Sequence, residues 1–128
     1  MKAIQNAQML MEGRFVTGKA LLFDQRIIGL ADTPPEGAEV IDAAGGIVSA
    51  GLMDVHCHGF NGSETGDPIG VDGLLAMSRV LTRYGVTSWL PPASCLPWEN
   101  YAQRFAEIEE ALRLSGAPGF MGARILGV

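Results

Sequence analysis

The sequence predicts an α/β chain: a small antiparallel sheet over residues 1–50, then a parallel series of strands and helices over residues 51–128. Three observations carry this. The first half consists of short apolar runs separated by Gly, Pro and Asp turns, with no helical period. The second half alternates short apolar runs with two segments of helical period. The composition, 128 residues with 48% hydrophobic and 18% charged, is that of a chain that folds, neither a disordered acidic tail nor a membrane span.

In the first half, Ala3 to Met9 and Ala20 to Phe23 are expected strands, with turns at Thr17-Gly18-Lys19 and Asp24-Gln25-Arg26. Ile27 to Leu30 resumes the apolar run. Thr33-Pro34-Pro35-Glu36-Gly37 then breaks it, because two prolines in succession remove backbone donors. Val40 and Ile41 begin a last short strand that closes at Gly45-Gly46. No residue of this half reads as catalytic.

After Gly51, Leu52 to His56 reads as a buried strand and His58 to Gly70 as a polar, Gly-rich loop. Leu74, Met77, Leu81 and Tyr84 fall on one face of a helix, with Asp72 as its expected N-cap and Gly85 as its C′ residue. Val86 to Leu90 is the second strand, stopped by Pro91-Pro92. Tyr101, Phe105, Ile108 and Leu112 mark a second helix with Arg104, Glu107 and Glu110 outward. Pro97 is its expected first residue, Leu96 its N-cap and Gly116 lies beyond its end. Ala123 to Val128 is the third strand. Trp89, Trp98, Phe105 and Phe120 are expected in the core. Such a series implies parallel strands buried on both faces, and three of them do not close a barrel, which needs about 250 residues.

The formal net charge of −5 and the lack of a basic cluster argue against nucleic acid as a partner. No apolar stretch reaches the length of a membrane span. Cys57 and Cys95 form no CxxC pair and follow no signal peptide, so reduced thiols in the cytoplasm are expected.

The chemistry concentrates in Asp54-Val55-His56-Cys57-His58-Gly59, at the C-terminal end of the first parallel strand. Residues two apart on a strand share a face, so His56 and His58 can present two imidazoles to one point while Cys57 turns away to pack. Neutral imidazole ligates zinc, iron or nickel, and these are the chain's two histidines. The plainer reading of a bare HxH is two exposed or hydrogen-bonded histidines. The strand-end position, Asp54 and the glycine-rich loop favour the metal. Asp54 can orient a ligating histidine rather than bind metal itself. Asn61, Ser63, Glu64, Thr65 and Asp67 form a polar loop able to touch a substrate, though solvated loop residues are commoner. Cys95 reads as a surface or packing thiol.

At these residues the sequence resembles the amidohydrolase superfamily and, within it, the N-acetylglucosamine-6-phosphate deacetylases. The resemblance runs through Gly45-Gly46, Gly51-Leu52-Met53-Asp54-Val55-His56-Cys57-His58-Gly59, Tyr84-Gly85-Val86-Thr87-Ser88-Trp89-Leu90-Pro91 and Gly122-Ala123-Arg124-Ile125-Leu126-Gly127-Val128. Ala50 stands where the family has proline. The resemblance implies the first three βα units of a TIM-type (β/α)8 barrel, preceded by part of a small antiparallel β-sandwich domain. It also implies a divalent metal (zinc first, iron or manganese as alternatives) with His56 and His58 at metal positions. Its substrate class is an amino-sugar phosphate, cleaved to an amine and acetate, and an intact relative is expected to be a homo-oligomer. The family's metal-binding Glu, two further histidines and catalytic Asp fall beyond Val128, so no catalytic or phosphate-binding residue is carried over, and the chain alone is expected to be inactive. Two alternatives stay open: a dihydroorotase- or hydantoinase-like cyclic-amide hydrolase, and a non-catalytic metal-binding or interaction module.

Overall fold

The computed structural model describes residues 1–60, 62–93 and 96–128. It divides into two compact units, Met1–Ala50 and Gly51–Val128.

The first unit holds β1 (Lys2–Gln5), β2 (Gln8–Met11), β3 (Arg14–Val16), β4 (Ala20–Phe23), β5 (Ile27–Ala31), β6 (Glu39–Asp42) and β7 (Ile47–Val48). They form two sheets, ordered β5-β4-β1-β6 and β3-β2-β7. The expected strand from Ala3 to Met9 is two strands in different sheets. Asn6 breaks it by taking a left-handed conformation, φ 56°, which asparagine tolerates better than most residues. Its side-chain amide donates to both Asp42 carboxylate oxygens at 3.0 and 3.1 Å. The Ala44 backbone N–H and the Asn6 amide together hold the Asp42 carboxyl below the usual range.

β3 was not anticipated. Met11 pairs with Arg14, leaving a two-residue turn in which Glu12 and Gly13 both have positive φ, 50° and 76°. That is the type I′ pattern that matches the twist of a hairpin.

The sheets are also mixed rather than antiparallel. β1–β4, β4–β5 and β2–β3 are antiparallel, while β1–β6 and β2–β7 are parallel. β1 and β5 both oppose β4, so they run the same way. The Pro34-Pro35 loop carries the chain back to the end where β1 began, and β6 therefore enters on the other side of β1 in the same direction.

The second unit contains β8 (Leu52–Asp54), β9 (Gly59–Phe60), β10 (Ser63–Glu64), α1 (Gly70–Leu81), β11 (Val86–Trp89), α2 (Tyr101–Ser115) and β12 (Arg124–Ile125). Short 3-10 turns cover Thr82–Tyr84 and Trp98–Asn100. β8, β11 and β12 make the expected parallel sheet, ordered β12-β11-β8. Burial of β8 on both faces does not follow; among the described residues β8 pairs with β11 alone. Leu52, Met53 and Val55 are 60%, 59% and 61% exposed.

Leu74, Met77, Leu81, Trp89, Ile108 and Ile125 form the core. Two serines satisfy its buried polar groups: Trp89 Nε1–H donates to Ser78 Oγ at 2.8 Å, and the Ile125 N–H donates to Ser115 Oγ at 3.0 Å. Phe120 packs against this core, half-buried, with the Arg79 guanidinium over its ring.

Helix boundaries and faces depart from expectation in specific ways. Asp72 lies within the first turn of α1, whose N-cap is Ile69; there its charge still complements the positive end of the helix. Gly85 ends the following turn at φ 80°, as a C′ glycine should. Tyr84 is exposed and sets its ring edge against Phe60 at 5.1 Å. Pro97 precedes a 3-10 turn rather than opening α2, and accepts the Asn100 N–H at 2.9 Å.

α2 buries Arg104, Ile108, Ala111 and Ser115; of the expected face, Ile108 lies in the core and Leu112 packs against it. Trp98 and Phe105 are 87% and 47% exposed. The small side chains of Ala111 and Ser115 let α2 approach its neighbours closely, and Arg104 is tied to the backbone by its guanidinium, which donates to the Asp67 carbonyl.

Candidate metal-binding site

β8 ends at Asp54, before either histidine, yet the strand pairing continues. The Leu90 N–H donates to the Asp54 carbonyl at 2.9 Å, and the Leu90 carbonyl accepts the Cys57 N–H at 3.3 Å. In a regular parallel ladder those two partners are two residues apart. Here they are three apart, so one extra residue is inserted, as in a bulge. The displaced His56 N–H is taken by Asp54 Oδ1 at 3.1 Å. Asp54 thus orients the backbone of His56, the role its position suggested.

The two imidazoles converge. Their Nε2 atoms stand 2.8 Å apart, with ring centroids 4.6 Å apart and planes at 64°, and both residues are exposed. Strand alternation is not the cause, since the segment is irregular; the bulge and the Asp54 contact set the geometry. Cys57, between them, is 6% exposed and belongs to the core. Burial, and secondarily the Asp54 charge, push its thiol up, which disfavours the thiolate that a metal would need.

His58 is fixed from the other side. Its carbonyl accepts both the N–H and the hydroxyl of Thr65, at 2.6 and 2.9 Å. Thr65 is fully buried, so it positions His58 rather than facing a substrate. Ser63, Glu64 and Asp67 do line a cleft of about 730 Å³ with His58 and Phe60. The polar loop is therefore partly a hairpin, β9 with β10, which the composition did not signal; Phe60 on the cleft was missed with it. The expectations for Asn61 and Cys95 lie outside the described residues.

Gly59 permits the close hairpin. A Cβ there would lie 2.6 Å from the Ser63 carbonyl oxygen and 3.1 Å from Glu64 Cα, backbone atoms that cannot step aside. Gly59→Ala is expected to destabilise the chain by about 1–3 kcal/mol, read as a lowered midpoint of thermal unfolding.

Among the described residues, no group of three His, Cys, Asp or Glu side chains is placed to hold a metal. The donors in hand are the two imidazoles. Two nitrogens bound to one tetrahedral zinc at about 2.0–2.1 Å stand about 3.3 Å apart, so the pair fits after opening by about 0.5 Å. Both residues are exposed.

No family model matches the sequence. The dihydroorotase of Lactobacillus johnsonii is 42% identical over 55 residues, 43% of this chain and 13% of that enzyme. The crystal structure of N-acetylglucosamine-6-phosphate deacetylase from Pasteurella multocida superposes with TM-score 0.82 at 26% identity, covering 92% of this chain and 31% of that one. The fold is thus similar to that of N-acetylglucosamine-6-phosphate deacetylase.

The D-hydantoinase of Bacillus sp. AR9 shares the fold at TM-score 0.53 and 23% identity, over 87% of this chain and 24% of its own. The chain thus spans less than a third of each solved amidohydrolase named here. Its mixed α/β architecture is similar to the amino-terminal portion of these enzymes. Among the described residues no helix is long and apolar enough to cross a membrane.

Proposed function

We propose that the chain is an amino-terminal segment of a metal-dependent deacetylase that hydrolyses the acetamide of N-acetylglucosamine 6-phosphate to glucosamine 6-phosphate and acetate. The observation that carries this reading is the difference in structural likeness: TM-score 0.82 to the Pasteurella deacetylase against 0.53 and 0.54 to a hydantoinase and a dihydropyrimidinase. In this reading residues 51–128 are the first three βα units of a barrel, and residues 1–50 part of a second, β domain.

His56 and His58 would hold a divalent ion, zinc first, through their converging Nε2 atoms. When bound, such an ion supplies Lewis acidity toward an amide carbonyl and makes water a stronger nucleophile near neutral pH. The chain's own residues prepare the place. Asp54 fixes the His56 backbone, Thr65 fixes His58 by its carbonyl, and Ser63, Glu64 and Asp67 give the adjoining cleft polar groups for a hydroxylated substrate. Two donors fall short of the three that a catalytic zinc takes from protein, so the chain by itself should not turn over.

A second reading, a dihydroorotase segment, rests on the 42% identity over 55 residues. Two chimeras separate the readings. In one this chain replaces the matching part of the Pasteurella deacetylase, in the other that of the Lactobacillus dihydroorotase, each assayed on its own substrate. The deacetylase chimera is expected to be active and the dihydroorotase chimera silent; the reverse outcome overturns the proposal.

A further inference from the structure

Burying a cation on α2 carries a desolvation cost that an apolar side chain of similar volume would not. The Arg104 side chain is 4% exposed, and its Nη1 is buried without a hydrogen-bond partner among the described residues. The rest of the guanidinium shows what the burial serves. Nη2 donates to the Asp67 carbonyl, and Nε lies 3.5 Å from a Glu107 carboxylate oxygen. Glu107 also accepts the Gln103 amide at 2.8 Å, so the carboxylate that orients the guanidinium is itself held from one helical turn earlier.

Asp67 belongs to the segment packed around the histidine site. Its carbonyl accepts a second bond, from the Ile69 N–H at 2.8 Å, and its own N–H donates to the Glu64 carbonyl at 3.1 Å. Glu64 pairs with Gly59, the residue after His58. Thr65 gives its N–H and its hydroxyl to the His58 carbonyl at 2.6 and 2.9 Å. Hydrogen bonds and short stretches of chain therefore lead from the Arg104 guanidinium to the His58 backbone. Residues 64–68 also border two clefts: Glu64 and Asp67 line the one beside His58, while Gly66 and Pro68 line the one that Arg104 and Glu107 share. Arg104 thus ties this wall down from the cleft that holds no histidine. A charged donor makes a shorter and stronger bond to a carbonyl than a neutral one, and the planar guanidinium loses less freedom in making it than a lysine would.

We propose that Arg104 is a positioning residue: through the Asp67 carbonyl it fixes the wall that carries Thr65, and so sets the place of His58 beside His56. The effect on zinc rests on the metal reading; the effect on His58 itself does not.

The test measures zinc affinity of the full chain by competition against a chromophoric chelator. Arg104→Met keeps an unbranched stem and loses the donors. It should weaken zinc binding about tenfold, the low end of what removing a group behind the ligands costs. Ile108→Val is the control. Ile108 lies on the same helix, 3% exposed, and takes no part in these side-chain bonds, so its truncation should lower the unfolding midpoint and leave zinc affinity within about twofold of the parent's. If Arg104→Met does not fold, Glu107→Gln keeps the buried cation, removes the charge that orients it, and should weaken zinc about threefold. Should the parent chain bind no zinc, the metal reading fails by itself, and the His58 ring resonances of the metal-free chain decide: the same variant should shift them and Ile108→Val should not. Parent-like behaviour of Arg104→Met, or of Glu107→Gln where the former does not fold, overturns the proposal, as does a change of equal size in Ile108→Val.

Discussion

Replacing His56 by alanine is expected to weaken zinc binding to the chain about a hundredfold or more, and His58→Ala to do the same. The reason is geometric. With Nε2 atoms 2.8 Å apart, binding the first imidazole places the second within reach of the same ion, so much of the ordering cost is already met before the metal arrives. Removing either leaves a single exposed imidazole, no better than any surface histidine. The double variant should therefore resemble each single one, a non-additivity that two independent sites would not give. Cys57→Ser should leave zinc affinity near the parent's, because the thiol is buried and its thiolate disfavoured. Competition against a chromophoric chelator reads all four variants. Both histidines are exposed, so their removal should not alter the unfolding midpoint.

The largest stability effect is expected at Trp89. It is fully buried, and β11, in which it lies, is the middle strand of the sheet. Trp89→Ala should cost about 3–5 kcal/mol, from lost burial and the cavity left behind. Trp89→Phe separates two components. The ring largely remains, but Ser78 Oγ loses the indole donor that now reaches it at 2.8 Å, which should cost about 1–3 kcal/mol. Urea unfolding at a fixed temperature checks both. Trp89 also precedes Leu90, whose backbone bonds hold Asp54 and Cys57 on either side of His56. Trp89→Ala should accordingly loosen the histidine pair as well, and weaken zinc binding even at urea concentrations where the chain is still folded.

How much of this was legible before the structure depends on what kind of interaction decides each feature. The histidine pair was legible because residue type and spacing nearly suffice: two imidazoles two residues apart, ahead of a glycine, at the end of an apolar run. The reason offered, strand alternation, was incomplete. A bulge is set by where Leu90 finds its partners, which lies on a different strand. α1 was legible because its apolar spacing and its buried face agree.

α2 was not, and the error is instructive. Hydrophobicity marked Trp98 and Phe105 as core and Arg104 as surface, whereas close packing favours the small Ala111 and Ser115 inside, with Arg104 held by a backbone carbonyl. No periodicity count sees that contact. Asn6 and Glu12 show a local version of the same limit. Asn6 breaks a strand through a hydrogen bond to Asp42, 36 positions away, and Glu12 occupies a turn position that usually announces itself as Asn, Asp or Gly. The exposure of Leu52, Met53 and Val55 depends on what packs over the faces of this segment, which its own sequence does not encode.

The central claim is that His56 and His58 bind one metal ion together. X-ray absorption on the zinc-loaded chain addresses it most directly. Two imidazole nitrogens per zinc at about 2.0–2.1 Å are expected, with that scattering lost in the His56→Ala, His58→Ala variant. A spectrum without imidazole scattering, or one that the double substitution leaves unchanged, would contradict it.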